Sequence, residues 1–173
     1  QFGLSPMDEV FQIANKAWND HDVRALIITP NNPWGQTMAT AFTKDWGTLN
    51  GQVVGQMNYT SKKNLSTDVQ QLLNVNQSRA RYTVLKKTLK EKMRFILRRR
   101  KDIDVIFIAA QPSFARQIKP LIKYYYAGNI PVFAISQIYR GIPNPTRDRD
   151  LNGIIFPDMP WVLRPELMQP RFL

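Results

Sequence analysis

The residue types best suited to acid–base chemistry are adjacent in the sequence at its only histidine. His21 lies between Asp20 and Asp22, an arrangement that suits proton transfer. It directly precedes a predicted strand, however, which places it at the amino end of a sheet, whereas open α/β sheets bind ligands beyond the carboxyl ends of their strands. A catalytic triad or a histidine metal site would need the histidine at those other loops. We therefore predict that His21 is a turn residue.

A second set of acidic residues lies in the last quarter of the chain. Asp148, Asp150 and Asp158 could form a carboxylate cluster, but Arg147 and Arg149 interleave with them. Mixed charges of this kind are typical of a solvated loop. We therefore predict no metal site at these residues.

Composition and spacing exclude further chemistries. The chain contains no cysteine, which excludes disulfides, thiolate metal sites and cysteine nucleophiles. Residues 30–35, Pro-Asn-Asn-Pro-Trp-Gly, contain one glycine where phosphate loops and dinucleotide-binding fingerprints need two or three. The sequence therefore predicts a protein that is not an enzyme and that needs no cofactor.

The elements that would position a site follow a repeated order of strand, loop and helix. Strands are predicted at residues 23–29, 52–59, 103–110, 130–135 and 153–156. The third is an unbroken apolar run, which is typical of a strand covered on both faces. Because helices separate the strands, neighbouring strands can be parallel. The predicted fold class is therefore α/β, a doubly wound parallel sheet with strand order 2-1-3-4-5 flanked by helices.

Capping residues and apolar spacing predict the helices. Ser5 caps a helix that Pro6 begins and that runs through residue 18. Its predicted apolar side comprises Met7, Val10, Phe11, Ala14 and Trp18. Residues 34–49 form the next helix, Ser66-Thr67-Asp68 caps a short helix through residue 75, and two more helices are predicted at residues 80–100 and 114–126.

Positive charge is concentrated in the predicted helix at residues 80–100. Residues 79–101 hold eleven of the 24 Lys and Arg residues but one of the 13 Asp and Glu residues. Helical spacing predicts a buried stripe of Tyr82, Leu85, Leu89, Met93 and Ile96. It predicts outward-facing cations at Lys86, Lys87, Lys90, Arg94, Arg98 and Arg99. These cations fit either a solvated helix face or a surface for an acidic partner, and nucleic acid is not predicted because no nucleic-acid-binding motif accompanies them.

Length and hydropathy predict one domain without a membrane span. A chain of 173 residues can bury about 70% of its unfolded surface in a single core. The longest apolar run, residues 105–110, is far shorter than the ~20 residues of a spanning helix. We expect residues 1–156 to form one α/β lobe and the proline-rich residues 157–173 to form a strap toward another surface. The absence of an initiator Met suggests an excised internal segment, so any targeting signal or anchor is expected outside it.

Topology alone nominates residues for a cleft at the carboxyl ends of the strands. The loops after strands one, three and four contribute Asn31, Asn32, Trp34, Gln111, Ser113, Gln137 and Tyr139. Capping is favoured for Asn32 and Ser113, whereas packing by Trp34 and support of residues 141–145 by Tyr139 stay open as alternatives to a binding role. Amphipathic aromatic side chains such as Trp34 and Tyr139 suit both ligand stacking and protein contacts.

Three segments carry a resemblance to a known family: residues 2–6 (Phe-Gly-Leu-Ser-Pro), residues 109–120 (Ala-Ala-Gln-Pro-Ser-Phe-Ala-Arg-Gln-Ile-Lys-Pro) and residues 152–161 (Asn-Gly-Ile-Ile-Phe-Pro-Asp-Met-Pro-Trp). Together with the order of strands and helices, they resemble one lobe of a type I periplasmic binding protein. Within that superfamily, the chain is similar to the family of penicillin-binding protein activators. The resemblance covers essentially the whole chain.

This resemblance implies a role in protein binding. Members of that family are outer-membrane lipoproteins that reach through the periplasm, dock on a class A bifunctional penicillin-binding protein and stimulate peptidoglycan crosslinking without being enzymes. The chain would be the second lobe of the C-terminal domain. The lipid anchor would lie outside this segment, and it would be the only link to a membrane.

The resemblance also leaves a second class of function open. Relatives that bind amino acids commonly place an acid after the fourth strand to hold the ammonium group, whereas residues 136–139 here read Ser-Gln-Ile-Tyr. This departure argues against an amino-acid ligand and leaves neutral or sugar-like ligands conceivable. The alternative function is therefore a small-molecule binding or sensing lobe of a two-lobe periplasmic protein. A concave site with converging polar groups would favour the alternative, and a broad charged or apolar surface would favour docking.

Overall fold

A computed structural model describes residues 5–89, 98–142 and 144–158 of the chain. Its centre is a five-stranded sheet in the order β2-β1-β3-β4-β5, in which every pair of neighbours is parallel. The strands are β1 (Arg24–Pro30), β2 (Gln52–Tyr59), β3 (Val105–Ile108), β4 (Val132–Ala134) and β5 (Ile154–Ile155). The predicted fold class and strand order are confirmed.

Both faces of the sheet are apolar. In β3, Val105 and Phe107 enter one apolar cluster, and Ile106 and Ile108 enter the cluster on the other face. All four residues are at most 1% exposed. Successive side chains of a strand point to opposite faces, so an unbroken apolar run is what a strand covered on both sides requires. The central position that the predicted strand order gives to this strand, and its coverage on both faces, are confirmed.

The helices cover the two faces in pairs. The α-helices are α1 (Pro6–Asn19), α2 (Pro33–Thr48), α3 (Leu65–Leu72), α4 (Val75–Leu89), α5 (Pro112–Ile122) and α6 (Pro145–Asp148). The apolar sides of α1 and α2 belong to the cluster that contains Phe107, whereas those of α3 and α5 belong to the cluster that contains Ile106. Three shorter helical turns follow α5, β4 and α6, at Lys123–Ala127, Ser136–Ile138 and Arg149–Leu151.

Helix α1 begins as predicted but buries a different side. The Ser5 hydroxyl accepts a hydrogen bond from the Asp8 backbone N–H at 3.3 Å, which confirms the cap. Of the predicted apolar side, Val10 and Ala14 are buried, but Met7 and Phe11 are exposed. The buried row also contains Ile13, Ala17 and the carboxylate of Glu9. The face is rotated because Glu9 points inward to Ser136 in the helical turn after β4, which spacing along α1 alone does not reveal.

The predicted cap of α3 is wrong. Ser66, Thr67 and Asp68 lie inside α3, which follows Asn64, and Asn64 makes no side-chain capping bond. The Ser66 hydroxyl instead bonds to the Tyr125 hydroxyl of the helical turn after α5, at 2.8 Å. Burial of the apolar residue at the helix start, together with this tertiary contact, outweighs the local capping preference.

Helix α4 differs most from the prediction. It begins at Val75 rather than at residue 80, and Arg98, Arg99 and Arg100 are not helical. Leu85 is 48% exposed, so the predicted buried stripe is wrong at that position. The side chains of Leu89, Met93 and Ile96 lie outside the described residues, as do residues 159–173 of the strap predicted at residues 157–173. The stripe fails because α4 is buried at its first turn, where it meets α3, and its following turns extend past the core.

Candidate functional site

A pocket of about 440 Å³ lies at the carboxyl ends of the parallel strands. It is lined by Pro30, Asn31, Asn32, Trp34, Tyr59, Thr60, Gln111, Phe114 and Gln137. Five of the seven residues nominated for the cleft therefore meet in one cavity. They converge because each follows a strand of the same parallel sheet, and the carboxyl ends of parallel strands share one edge.

The loop after β1 forms one wall of this pocket. The Asn31 backbone N–H donates to the carbonyl oxygen of Tyr59 at 2.8 Å, which ties the ends of β1 and β2 together. The Asn32 side-chain oxygen accepts from the Gly35 backbone N–H at 2.8 Å. Asn32 is thus both the cap of α2, as favoured from the sequence, and a lining residue. Its acceptor oxygen is occupied by the cap, so its NH₂ group is the part left for the cavity.

Aromatic side chains form the floor. The rings of Tyr59 and Phe114 lie 4.6 Å apart between centroids, and the Lys62 ammonium lies 5.6 Å from the Phe114 ring. Burial raises the pKa of the Tyr59 phenol to about 12, against the opposite effect of the Gln111 backbone N–H that bonds to it. Tyr59 therefore stays protonated at physiological pH. With Trp34 on the wall, the cavity offers stacking surfaces beside amide groups.

A buried carboxylate fixes the loop after β4. Glu9 of α1 is 5% exposed, and its two oxygens accept hydrogen bonds from the Ser136 backbone N–H and the Ser136 hydroxyl, each at 2.7 Å. Gln137, the next residue, lines the pocket. Glu9 thus fixes the position of the pocket wall at Gln137 without lining the pocket itself.

Two nominated residues lie outside the pocket. Ser113 is the second residue of α5, whose cap position is Gln111, so the capping interpretation of Ser113 is wrong. Tyr139 packs on Phe156 with 5.8 Å between ring centroids, in a separate cavity of about 280 Å³. Both miss the cleft because the chain turns away from the strand edge: α5 has already begun at Ser113, and a helical turn separates Tyr139 from β4.

The pocket also contains four residues that were not predicted from the sequence: Pro30, Tyr59, Thr60 and Phe114. Tyr59 is the last residue of β2 and Thr60 follows it, so applying the strand-end rule to β2 would have found both. Phe114 reaches the cavity from the first turn of α5, next to the nominated Gln111. Glu9 had no such signal, because its partner lies 127 residues away in the sequence.

The described basic candidates include exposed cations and one arginine that is bonded within the fold. Lys86 and Lys87 are exposed on α4. Arg98 is exposed outside the helix, where its backbone N–H donates to the Ser78 hydroxyl at 3.2 Å. Arg99 donates to the Tyr126 carbonyl oxygen at 2.8 Å and to the side-chain oxygen of Asn129 at 3.1 Å, so it serves the fold rather than an outward helix face. The predicted sites Lys90 and Arg94 lie outside the described residues.

The amino end of the sheet carries a charged cluster. Arg24 donates to both carboxylate oxygens of Asp104, at 2.7 and 3.0 Å, and hydrogen bonding to Arg24 lowers the pKa of Asp104. Burial and, to a smaller extent, the charges of Asp104 and Asp20 raise the pKa of Asp22 to about 6. His21 is an exposed turn residue with φ of 70°, as predicted. The cluster ties the chain before β1 to β3.

Asp148 is held in an ion pair. It accepts from the Arg116 guanidinium at 3.0 Å and from the Asn144 backbone N–H at 2.9 Å. Within the described residues, no group of three or more His, Asp or Glu side chains is arranged to hold a metal ion. The helices of the described part are too short or too polar to cross a lipid bilayer.

The five-stranded order, the helices on both faces and the pocket at the strand ends define one lobe of a type I periplasmic binding protein-like fold. The chain belongs to the LppC putative lipoprotein family, whose model matches residues 1–171. It is 28% identical over 167 residues to the penicillin-binding protein activator LpoA of Photobacterium profundum, across 96% of this chain and 27% of the relative. The chain thus spans about a quarter of the length of the curated relatives it matches.

Solved structures show the same fold. The LpoA (YraM) C-domain from Haemophilus influenzae, described as a regulator of PBP1A, matches with a TM-score of 0.60 and 24% identity over 87% of this chain and 39% of that domain. An ABC transporter substrate-binding protein from Desulfitobacterium hafniense, solved in complex with Leu, matches with a TM-score of 0.52 and 18% identity over 78% of this chain and 33% of that protein. At these identities the likeness establishes the fold.

Proposed function

We propose that the chain is a lobe of a non-enzymatic activator of a class A bifunctional penicillin-binding protein, a peptidoglycan synthase, and that it stimulates crosslinking by docking on that synthase. The observation that carries this proposal is membership of the LppC family over residues 1–171, with relatives named as penicillin-binding protein activators. The full-length protein would work in the periplasm, held to the outer membrane by a lipid anchor outside this segment.

Helix α4 is the docking element that we propose. Val84 is 63% exposed and Leu85 is 48% exposed, and the neighbouring Lys86 and Lys87 are also exposed. Apolar contact area beside two lysines that form no ion pair with another described residue suits a partner surface that is apolar at its centre and acidic at its rim. Opposite charges would raise the association rate most strongly at low ionic strength.

The test measures the rate at which this chain associates with a purified class A synthase. We expect Lys86→Glu/Lys87→Glu to lower the association rate about tenfold or more at low salt, with the difference shrinking as salt screens the charges. The matched control is Lys44→Glu/Lys63→Glu, which makes the same change in net charge at two exposed positions elsewhere. Val84→Ser/Leu85→Ser should raise the dissociation rate, since it removes apolar contacts.

The control variant separates a local surface from overall charge. If both double variants lose association rate equally, only net charge matters. If neither variant changes the association rate, α4 is a solvated helix without a role in docking. Failure of the unmodified chain to bind the synthase, alone or as part of its two-lobe domain, would overturn the docking function itself.

A second candidate function is favoured by the cleft pocket. Its described lining combines the carboxamides of Asn31, Asn32, Gln111 and Gln137 with aromatic rings and contains no ionised side chain. Such a site suits an uncharged, hydrogen-bonding ligand such as a sugar better than an amino acid. A second lobe that closes over the pocket would then couple ligand binding to a change in the conformation of the two-lobe domain.

Calorimetric titration with chitobiose, an uncharged disaccharide that carries amide groups, tests this candidate. Binding should weaken about tenfold in Gln111→Leu, because one buried amide hydrogen bond is lost. Gln36→Leu, on the exposed side of α2, is the control. Absence of heat at millimolar chitobiose with the two-lobe domain would reject a sugar ligand of this size.

A further inference from the structure

A large cavity in the described part of the chain lies at the opposite end of the sheet from the cleft pocket. Its volume is about 750 Å³. The last turn of α5, the turn that leads into β4 and the segment that leads into β5 enclose it. These segments meet at the amino ends of β4 and β5, so the cavity is independent of the cleft.

Cations predominate among the charged groups of this cavity. Lys119, Lys123 and Arg149 line it, against one acid, Asp150. The four ion pairs formed by the described residues involve other cations. The cavity therefore holds an excess positive charge that the described residues do not neutralise through ion pairs.

The two lysines follow one another on the same side of a helix end. Lys119 lies in the last turn of α5 and Lys123 begins the helical turn that continues it, four residues later. Removal from water, and then the positive charge of Lys123, lowers the pKa of Lys119. The negative end of the helix dipole compensates part of this repulsion. An anion bound between the two ammonium groups would compensate it directly.

Asn129 adds a hydrogen-bond donor with a fixed orientation. The Arg99 guanidinium donates to the Asn129 side-chain oxygen at 3.1 Å, and Arg99 is itself held by the Tyr126 carbonyl oxygen at 2.8 Å. Because the oxygen of the amide is occupied, its NH₂ group is the part available to the cavity that Asn129 lines. This NH₂ group can donate a hydrogen bond to an anion, whereas the side-chain oxygen, which would repel an anion, is bonded to Arg99.

Part of the remaining wall is apolar. Ile130, Pro131 and Ile155 line the cavity beside the cations. A volume of this size falls within the roughly 300–1,000 Å³ of small-molecule sites and far exceeds what one inorganic ion fills. The arrangement suits a ligand with a charged head and an uncharged body.

We propose that this cavity binds a small organic anion, whose phosphate or carboxylate group lies between Lys119 and Lys123 and whose uncharged body rests on Ile130 and Pro131. The two ammonium groups then donate to one anionic group, and Arg149 and the Asn129 NH₂ group lie in the lining of the same cavity. Charge-assisted hydrogen bonds of this kind are the strongest that side chains offer. The inference does not depend on docking to a synthase.

The test is calorimetric titration of the chain at low ionic strength with glucose 1-phosphate and with glucuronate, which separate a phosphate from a carboxylate head. Glucose and inorganic phosphate are the controls for the body alone and the head alone. We expect at least one of the two organic anions to bind at least about tenfold more tightly than glucose, with affinity falling as salt rises. Amide chemical shifts should change at Gly128, Asn129 and Gly153, which line the cavity.

Lysine variants distinguish the cavity from general charge attraction. Lys119→Gln/Lys123→Gln should weaken binding by about a hundredfold, since two charge-assisted bonds are lost. Lys44→Gln/Lys63→Gln has the same net charge and should bind as the unmodified chain does. Equal losses in both variants, equal binding of glucose, or shift changes confined to other residues would overturn the proposal. So would the absence of binding by both organic anions at millimolar concentration, a result that needs no variant to fold.

Discussion

Replacing Gly35 with alanine should separate α2 from the end of β1. A Cβ atom placed on Gly35 would lie 2.0 Å from the carbonyl oxygen of Pro30 and 2.9 Å from two of its ring carbons. Real Cβ atoms essentially never approach another heavy atom closer than 3.0 Å, so the helix start must move by about 1 Å. The obstacle is backbone and a rigid ring, which cannot swing aside as a flexible side chain could.

The energetic cost has two parts. Forcing an extra methyl group into a packed contact typically costs about 1–3 kcal/mol. The movement also strains the hydrogen bond from the Gly35 N–H to the Asn32 side chain, and loss of such a cap costs about 1 kcal/mol. We therefore expect Gly35→Ala to lower the free energy of unfolding by about 2–4 kcal/mol.

The same helix provides a matched control at Gly47. A Cβ there would have no atom within 4 Å, so the substitution adds no contact. Alanine favours the helix over glycine by up to about 1 kcal/mol, so Gly47→Ala should stabilise the chain slightly. The two variants carry the same chemical change on α2 and should move stability in opposite directions.

Urea denaturation followed by circular dichroism would measure both changes. An amide spectrum of Gly35→Ala should also show shifts at Asn31 and Trp34, because the loop that carries them lies between the clashing residues. A Gly35→Ala stability within about 0.5 kcal/mol of the unmodified chain would refute the close approach of α2 to β1, since clash-free surface changes fall in that range.

Three further outcomes are expected. Phe107→Ala should lower the free energy of unfolding by about 3–5 kcal/mol in urea titrations, because the ring is fully buried and stacks on Phe42 at 4.4 Å; a loss under 1 kcal/mol would contradict its place in the core. In a double-mutant cycle, Glu9→Gln and Ser136→Ala should each cost about 1–3 kcal/mol but be non-additive, since each removes part of one buried bonded pair; additive losses would deny the coupling. The pKa of Asp22 in the folded chain, about 6, exceeds its ordinary value of 3.8, so its contribution to stability is complete below pH 4 and is lost as pH rises through 6. The free energy of unfolding of Asp22→Asn, measured by urea titration, should therefore rise relative to that of the unmodified chain as pH increases from 4 to 7. We expect this relative gain to be about 1 kcal/mol after allowance for solvent screening. A difference between the two chains that stays constant from pH 4 to 7 would contradict the raised pKa.

The predictions that succeeded rest on the geometry of the sheet. Strand order, the double burial of β3 and the convergence of Asn31, Gln111 and Gln137 all follow from parallel strands linked by helices. These features repeat along the chain, so local patterns are enough to predict them. Tyr59 was within reach of the same rule and was overlooked at the end of β2.

Two of the predictions that failed concern which side of a helix is buried. The inward turn of Glu9 depends on Ser136, and the exposure of Leu85 depends on α4 running past the core that would have covered it. Spacing along one helix gives the width of an apolar side but not the neighbour that it meets. The cation-lined cavity was missed for the same reason, because Lys119 and Arg149 lie thirty residues apart and meet only through the packing of α5 against the segment before β5.

The two ends of the sheet differ in chemistry in a way that reverses the usual arrangement of α/β proteins. Helix N-termini at the carboxyl ends of strands commonly attract anions through their free N–H groups. Here α2 begins with Pro33 and α5 begins with Pro112, so each helix lacks one of those donors, and Asn32 occupies another in α2. We therefore expect the cleft to favour uncharged partners. Positive charge is supplied instead by lysine side chains at the amino ends of β4 and β5. Because the cleft pocket and the cation-lined cavity share no lining residue, we expect a neutral group in the first and an anion in the second not to compete.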